Sequence, residues 1–257
     1  MLRVFTAFSG YDSQCLALNR IGVDYDLVGW SEIDRYAITA HNALFPQYAE
    51  RNYGDISRID WANVPDFDLF TYSFPCTDIS AAGQQKGFTE GSGTRSSLLW
   101  ECRKAVEAKR PRFLLMENVK ALTSEKFMPL FREWEMWLRG QGYTNYSAVL
   151  NAKDYGVPQN RERIFMVSIL GGGWFEFPHK EPLRKRLKDV LENNVEERYY
   201  LSDKIVQGYL QHNAMHSERG NGFAFEPTDG DCIAHTLLTS GGGRPTDNFI
   251  IDYGDRE

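Results

Sequence analysis

The stretch that decides the fold is FDLFTYSFPCTDIS, residues 67–80. Its apolar first half, residues 67–72, predicts a short buried strand, and Pro75 ends the ladder of that strand. Cys76 follows on the loop at the carboxyl end of the strand, where ligands and reacting groups collect in an open α/β sheet. Cys76 is therefore a candidate reactive thiol. The alternative is a small buried hydrophobe, which is the usual fate of an isolated cysteine.

Composition narrows the class of protein. The chain has 257 residues, 42% of them hydrophobic, and a formal net charge of −6. This length fits one large α/β domain with or without a smaller appendage. Because the net charge of the chain is negative, a polyanion would have to bind at a local basic face. The four cysteines are widely spaced, without a Cys-x-x-Cys pair or a histidine cluster, which predicts no metal site and no disulfide framework. We see no signal peptide and no transmembrane run, so we expect a soluble, cytoplasmic protein with no membrane partner.

The first fifty residues predict a nucleotide-type α/β unit. Residues 2–7 form a strand, residues 8–10 (FSG) a turn, and residues 14–20 a helix whose amino terminus faces a ligand. With a single glycine, an ordinary βα turn remains possible. A second strand, residues 25–30, is followed by Glu32 and Asp34. Either carboxylate would accept hydrogen bonds from ribose hydroxyls, and either would also serve as a helix amino-terminal charge.

Residues 52–56 (NYGDI) predict the end of a third short strand. There Asp55 would accept a hydrogen bond from an amino group while Ile56 packs against a flat ring. A turn aspartate is the alternative. The long polar segment from Ser80 to Arg95 is typical of a lid or binding loop, and residues 97–108 predict a helix.

A further buried strand, residues 112–116, ends in Glu117 and Asn118. If the strands are parallel, Glu117 lies on the same sheet edge as Cys76; the alternative is a carboxylate that caps the next helix. A helix at residues 127–139 and strands at 143–150 and 164–170 follow. Arg161 and Arg163, two apart on extended chain, share a face that suits an anion or an electron-rich ring edge, unless they are a solvated surface pair.

The composition changes at Gly171–Gly173, which predicts domains at residues 1–172 and 173–257. The second region contains a basic amphipathic helix at residues 183–188, a helix at residues 203–212, and a glycine-rich segment ending in Arg244. Basic residues beside glycine-rich loops contact phosphates in nucleic-acid complexes, although such a helix is often merely solvated.

Taken in order, these stretches resemble the DNA cytosine-5 methyltransferases, most closely the bacterial and phage restriction–modification or orphan branch. The resemblance covers residues 2 to about 170. Each motif is weak alone, but the ordered set is highly specific. The motifs are FSG (8–10), SEID (31–34), FPC (74–76), ENV (117–119), NAKDYGVP (151–158) and QNRER (159–163).

The resemblance implies a Rossmann-like, S-adenosylmethionine-dependent methyltransferase fold with a smaller carboxyl-terminal target-recognition region. The substrate is a cytosine flipped out of double-stranded DNA. Cys76 is then the nucleophile at C6 and Glu117 the acid at N3. Asn118 positions the active-site loop, and Arg163, assisted by Arg161, contacts the base O2 or the Cys–Glu pair.

The resemblance also implies a set of binding residues. Those expected at the cofactor are Phe8, Ser9, Gly10, Glu32, Ile33, Asp55, Ile56, Pro75 and Leu98. By this resemblance, Phe8 and Ile33 face the two sides of the adenine, and Glu32 binds the ribose. Asp55, with Ile56 beside it, accepts a hydrogen bond from the adenine amino group. Pro75 and Leu98 lie near the methionine part of the cofactor. Those expected at DNA are Ser80, Gln84, Arg95 and Arg244.

Several positions depart from the family pattern. Thr6 and Ala7 replace Asp-Leu, Asp12 and Ser13 replace later glycines, and Thr77 replaces the usual Gln. The family's last two motifs, Arg-x-Leu-Thr-Pro-x-Glu and Gly-Asn-x-Val, are not found. We therefore expect either a truncated chain or a second polypeptide that supplies them.

Three hypotheses follow. The first is a DNA cytosine-5 methyltransferase. The alternative is a catalytically incomplete homologue or subunit that binds DNA or needs a partner for activity. A third, with tRNA as substrate, is disfavoured because the Cys-Phe-Thr tripeptide of that branch is missing.

Overall fold

The structure, a computed structural model, describes residues 1–75, 95–192, 195–217, 225–237 and 243–251. Cys76, Ser80 and Gln84 lie outside the described residues. The chain divides into two compact units, one of Met1–Leu150 with Arg163–Pro178 and the other of Asn151–Glu162 with His179–Glu257. The segment that carries Arg161 thus groups with the second unit.

The described residues alternate between strands and helices. The strands are β1 (Leu2–Ala7), β2 (Tyr25–Ser31), β3 (Leu69–Tyr72), β4 (Phe113–Val119), β5 (Tyr143–Asn151), β6 (Gln159–Asn160), β7 (Glu162–Leu170) and β8 (Ala234–His235). The α-helices are α1 (Ser13–Arg20), α2 (Arg35–Leu44), α3 (Glu101–Lys109), α4 (Met128–Gly140) and α5 (Asp203–Ser217).

A six-stranded sheet organises the first unit. Its strand order is β2-β1-β3-β4-β7-β5. Strands β1 to β4 are parallel, whereas β7 runs antiparallel to β4. The α/β class predicted from the sequence is confirmed. Because the carboxyl ends of the four parallel strands share one edge, the chain segments that leave β1, β2 and β3 meet the end of β4 there.

Aromatic side chains fill the core against this sheet. Phe5, Phe70, Tyr72 and Trp134 are fully buried, and Trp134 Nε1 donates a hydrogen bond to the Tyr72 hydroxyl at 3.1 Å. The buried polar edges of these rings are therefore satisfied, as a stable core requires. Strands held in such a core give the residues at their ends a rigid base.

A third short strand was predicted to end at residues 52–56, and this prediction is wrong. Asn52 makes a single parallel bridge to Trp30, and a 3₁₀-helix follows at Ile56–Arg58. Two local features turn the chain away from the sheet. Gly54 has a φ of +68°, and the Asp55 side chain accepts from the backbone N–H of Ser57 at 2.9 Å. Both are typical of turns.

The predicted basic helix at residues 183–188 is also wrong. A 3₁₀-helix spans only Leu187–Asp189. The backbone N–H groups of Leu187 and Lys188 donate instead to the carbonyls of Cys232 and Gly230, at 3.0 and 2.8 Å. A helix of six residues is marginal in water, so these long-range bonds prevail over its amphipathic pattern.

The second unit combines α5 with a two-stranded parallel sheet of β6 and β8. Its aromatic cluster consists of Tyr209, Phe225 and Phe249, with ring centroids 5.1–5.8 Å apart. Asn213 both donates to and accepts from the backbone of Phe225 at 2.8 Å. Within the described ranges, no helix is long and apolar enough to cross a membrane.

Candidate active site

Glu117 and Arg163 form an ion pair across two antiparallel strands. Val119 of β4 stands directly opposite Arg163 of β7, so Glu117, two residues earlier, is a diagonal neighbour of Arg163 on the same face. Arg163 Nε lies 3.1 Å from Glu117 Oε1, and the side chains are 17% and 27% exposed. This ion pair orients the carboxyl group at the end of β4.

Asn118 ties the end of β4 to the segment that leads to Cys76. Its buried side chain donates from Nδ2 to the backbone carbonyl of Phe74 at 3.0 Å and accepts at Oδ1 from the N–H of Val119 at 2.8 Å. Phe74 is itself buried. The chain is therefore anchored two residues before the predicted nucleophile. Glu117 and Asn118, predicted to follow the strand, lie within it.

Arg161 lies in the second compact unit, between β6 and β7. Its backbone N–H donates to Asn151 Oδ1 and its carbonyl accepts from Ala152 N–H, both at 3.0 Å. Its assisting role beside Arg163 remains a prediction.

The loop after β1 has an unusual backbone. Phe8, Gly10 and Asp12 all have positive φ values, of 55°, 57° and 64°. The Ser9 N–H donates to the Ser31 carbonyl at 3.2 Å. The Gly10 N–H donates to Glu32 Oε2 at 2.9 Å. The loop therefore bends over the end of β1 and is bonded to the end of β2.

The two acidic candidates after β2 have different structural roles. Asp34 is the amino-terminal cap of α2, because Oδ1 accepts from the N–H groups of Tyr36 and Ala37 at 2.8 and 3.0 Å. Glu32 instead faces the loop after β1. Its Oε1 accepts from the N–H groups of residues 33 and 34 at 2.8 and 2.9 Å, while Oε2 accepts from Gly10. A carboxylate offers about four acceptor positions, so Oε2 retains one for a ligand.

Asp55 stands close to this edge on the segment after Asn52. Hydrogen bonds from the Ser57 side chain and backbone hold the pKa of Asp55 below its usual value, so this carboxylate is an ionised acceptor at neutral pH. The Ser31 hydroxyl donates to the Gly54 carbonyl at 2.7 Å and thereby joins the segment to β2. The two candidate ring-packing isoleucines differ: Ile33 is 71% exposed, whereas Ile56 is 3% exposed in the core.

Three other predicted residues flank residues 76–94 in the chain. Pro75 and Leu98 are half-buried, and Leu98 belongs to the 3₁₀-helix Arg95–Trp100, which Arg95 begins. One contact that the sequence did not predict joins α1 to the end of β3, where Gln14 Nε2 donates to Ser73 Oγ at 3.5 Å. No local sequence pattern predicts a contact between residues so far apart in the chain.

Comparison with known proteins identifies the family of this chain. A family model for C-5 cytosine-specific DNA methylases matches residues 2–244. The chain belongs to this family. It is 40% identical to the type II methyltransferase M2.ScrFI of Lactococcus lactis subsp. cremoris, over 82% of this chain and 74% of the relative. It is 35% identical to the type II methyltransferase M.NlaX of Neisseria lactamica, over 88% and 71%.

A phage relative and two solved structures extend the comparison. The orphan methyltransferase M.SPRI of Bacillus phage SPR is 34% identical, over 82% of this chain and 54% of the relative. The Schizosaccharomyces pombe (S. pombe) Dnmt2 methyltransferase superposes with a TM-score of 0.71 at 20% identity, over 97% of this chain and 74% of that one. The Entamoeba histolytica methyltransferase EhMeth gives 0.73 at 19%, over 93% and 72%.

Several predictions are thereby settled. The family match and its bacterial and phage relatives confirm the predicted resemblance and the enzyme class, DNA cytosine-5 methyltransferase. The structural neighbours confirm the methyltransferase fold. The comparisons do not favour the alternative of a catalytically incomplete homologue.

Proposed function

We propose that this methylase transfers a methyl group from S-adenosylmethionine to C5 of a cytosine in double-stranded DNA, through a covalent adduct between Cys76 and C6. The observation that supports this most directly is the arrangement at the end of β4. Glu117 is oriented there by Arg163 at 3.1 Å, and Asn118 holds the Phe74 carbonyl two residues before Cys76.

The chemistry explains why the chain needs these groups. C5 of cytosine is a weak nucleophile, so the Cys76 thiolate adds to C6 and makes C5 enamine-like. Glu117 protonates N3 and thereby takes up the negative charge that develops on the ring, while Arg163 keeps the carboxyl group in place. When bound, S-adenosylmethionine would supply an electrophilic methyl group to C5 and leave as S-adenosylhomocysteine. A base then removes the C5 proton, the electrons of that bond expel the Cys76 thiolate, and N3 returns its proton to Glu117 as the ring is restored.

The residues around the β1 and β2 ends fit S-adenosylmethionine. The cofactor presents hydroxyl and amino donors and a flat apolar ring. The chain offers carboxylate acceptors at Glu32 and Asp55 and an exposed apolar side chain at Ile33. We assign Glu32 to the ribose, Asp55 beside Ile56 to the adenine amino group, and Phe8 and Ile33 to the ring faces. Ser9, Gly10, Pro75 and Leu98 complete the proposed set. No metal takes part in this reaction.

Access to the base requires that the cytosine leave the duplex. We assign closure on the flipped base to the segment from Ser80 to Arg95, with Gln84 among its DNA contacts, because exclusion of water strengthens the electrostatic contacts inside a site. Residues 173–257 serve as all or part of the target-recognition region. Arg244 is exposed there, in a turn in which its N–H donates to Asp247 Oδ2 at 3.1 Å, and its guanidinium suits a phosphate.

Methyl transfer and covalent trapping test this proposal together. DNA from cells that express the chain is examined by bisulfite sequencing, with and without co-expression of a polypeptide that carries the two missing motifs. Duplexes containing 5-fluorocytosine at the sites found should form a denaturant-stable adduct with wild-type protein, because fluorine blocks proton removal at C5. Cys76→Ala should abolish methyl transfer and trapping while DNA affinity is largely kept. Cys232→Ala, the matched thiol control, should retain both methyl transfer and trapping. Equal loss of transfer and DNA affinity in Cys76→Ala contradicts the assigned role.

A further inference from the structure

A buried carboxylate lies beneath the loop after β1. Asp12 is fully buried and caps the amino terminus of α1, with Oδ1 accepting from the Cys15 N–H at 3.2 Å. Its Oδ2 accepts from the Thr6 hydroxyl at 2.9 Å. A buried carboxylate is costly unless it is hydrogen-bonded or paired. The Cys15 N–H and the Thr6 hydroxyl provide such bonds to Asp12.

His41 faces the same carboxylate from α2. It too is fully buried, and its Nε2 lies 3.6 Å from Asp12 Oδ2, beyond hydrogen-bond distance. Among the residues that the structure describes, this nitrogen has no hydrogen-bond partner. The His41 ring stacks on Trp30 of β2 at 3.7 Å. Asp12 is thus surrounded by groups from β1, α1 and α2.

Two departures from the family pattern meet in this cluster. The family has an aspartate at position 6, where this chain has Thr6, and glycine among the following positions, where it has Asp12. The two side chains are in contact at 2.9 Å. The two departures thus lie side by side, with a hydroxyl on the strand and a carboxylate on the loop. Asp12 also adopts the positive φ that glycine would provide, and aspartate tolerates this conformation better than most residues.

The backbone connects Asp12 to the proposed cofactor residues. The Asp12 N–H donates to the Ser9 carbonyl at 2.8 Å, which closes the turn that contains Gly10. The Gly10 N–H in turn holds Glu32 Oε2 at 2.9 Å. A shift at Asp12 therefore moves the donor that orients Glu32.

We propose that Asp12 is a positioning residue for the cofactor. Asp12 holds residues 8–12 in place through its bonds to Thr6 and Ser9, and thereby sets the orientation of Glu32 toward a nucleoside ribose. This rests on the proposed function, since the ligand is S-adenosylmethionine or its product. Asp12 itself touches no substrate. Its contribution is to binding of the nucleoside rather than to the chemistry on the cytosine.

The test is a double-mutant cycle that rebuilds the family pattern. Binding of S-adenosylhomocysteine to full-length protein is measured by calorimetry for wild type, Asp12→Gly, Thr6→Asp and the double variant. We expect each single variant to weaken binding about tenfold and the double variant to return to within about threefold of wild type, the coupling expected of one hydrogen-bond network. In methyl transfer, KM for the cofactor should follow the same pattern while kcat changes less than about twofold.

A matched control and a second variant separate an effect on the cofactor residues from a general effect on folding. Asp60→Gly removes a comparable cap, at the 3₁₀-helix Trp61–Asn63, and should leave cofactor binding unchanged. If Asp12→Gly does not fold, judged by circular dichroism, the isosteric Asp12→Asn should weaken binding in the same direction. The inference is overturned if Asp12→Gly or a folded Asp12→Asn binds S-adenosylhomocysteine like wild type. It is also overturned if the loss of affinity in the double variant equals the product of the losses in the two single variants. Failure of wild type to bind S-adenosylhomocysteine overturns the proposed function as well.

Discussion

Arg163 and Glu117 pair at 3.1 Å because the antiparallel strand β7 returns beside β4. Both side chains project from regular strands of a buried sheet, so the backbone fixes their separation before any ligand binds. Preorganised charges of this kind stabilise a transition state without reorganisation during the reaction. If Glu117 acts on the base as we propose, loss of the ion pair should lower kcat.

Arg163→Ala should lower kcat by about 10²–10³-fold, the range seen when one preorganised stabilising group is removed. The carboxyl group of Glu117 would lose the contact that orients it. Single-turnover methyl transfer on a cognate duplex measures this effect. Arg132→Ala, an exposed arginine on α4, is the control and should keep wild-type kcat. A fully active Arg163→Ala would contradict the assignment.

Glu117→Gln should lower kcat by about 10²–10⁴-fold, as loss of general-acid catalysis does. Glutamine keeps the shape of the side chain but has no acidic proton for N3, so addition of the thiolate to C6 becomes unfavourable. The rate of adduct formation with 5-fluorocytosine DNA should fall in parallel. Glu133→Gln, on the exposed face of α4, should leave both rates unchanged. Normal trapping by Glu117→Gln would remove Glu117 from this step.

Local pattern predicted much of the sheet, because buried strands carry continuous apolar runs. β1 was predicted with its observed bounds, and β2 within one residue. The end of β4 was predicted too early, since residues 117–119 are held in the strand by pairing with β7, and such pairing is non-local. The segment at residues 183–188 failed for the same reason, as its partners lie at residues 230 and 232.

The sequence likewise indicated some features of the candidate site and not others. The residue types and their order indicated Glu117, Asn118 and Arg163, but no spacing rule shows that Asn118 reaches the Phe74 carbonyl. Asp12 illustrates the limit more sharply. In sequence, Asp12 stands where the family has a glycine and Thr6 where it has an aspartate, and only the folded loop brings the two side chains into contact.

Asn118→Ala should reduce both stability and catalysis. It removes the hydrogen bond that Asn118 donates to the Phe74 carbonyl, which costs about 0.5–1.5 kcal/mol of unfolding free energy. It also releases the segment before Cys76, so the rate of covalent trapping should fall. Urea denaturation and trapping measure the two effects. Asn145→Ala is the matched control, because Asn145 Nδ2 donates to the Glu135 carbonyl at 2.9 Å, away from the proposed site. It should affect stability alone, and a trapping defect equal to that of Asn118→Ala would show that the loss is not specific to the Cys76 segment.

Gly29→Ala should destabilise the first unit and weaken cofactor binding together. An added Cβ would lie 2.7 Å from Phe5 Cε2 and from Tyr53 Cε2, in a part of the sheet where β1 and β2 change register between Val4 and Phe5. Overpacking of this kind costs about 1–3 kcal/mol. Either the two rings or β2 must shift to relieve it. We expect β2 to shift because Phe5 is fully buried, and Glu32 follows directly after that strand.

Gly140→Ala provides the comparison, because Gly140 ends α4 and its Cβ would meet nothing within 4 Å. Alanine is the better helix former there, so we expect a change in unfolding free energy of less than about 1 kcal/mol, and in the stabilising direction. Urea denaturation and calorimetry with S-adenosylhomocysteine measure both quantities for each variant. A Gly29→Ala protein that loses stability yet binds the ligand normally would mean that β2 absorbs the extra methyl group without displacing Glu32, and the coupling between the strand and the cofactor residues would then be refuted.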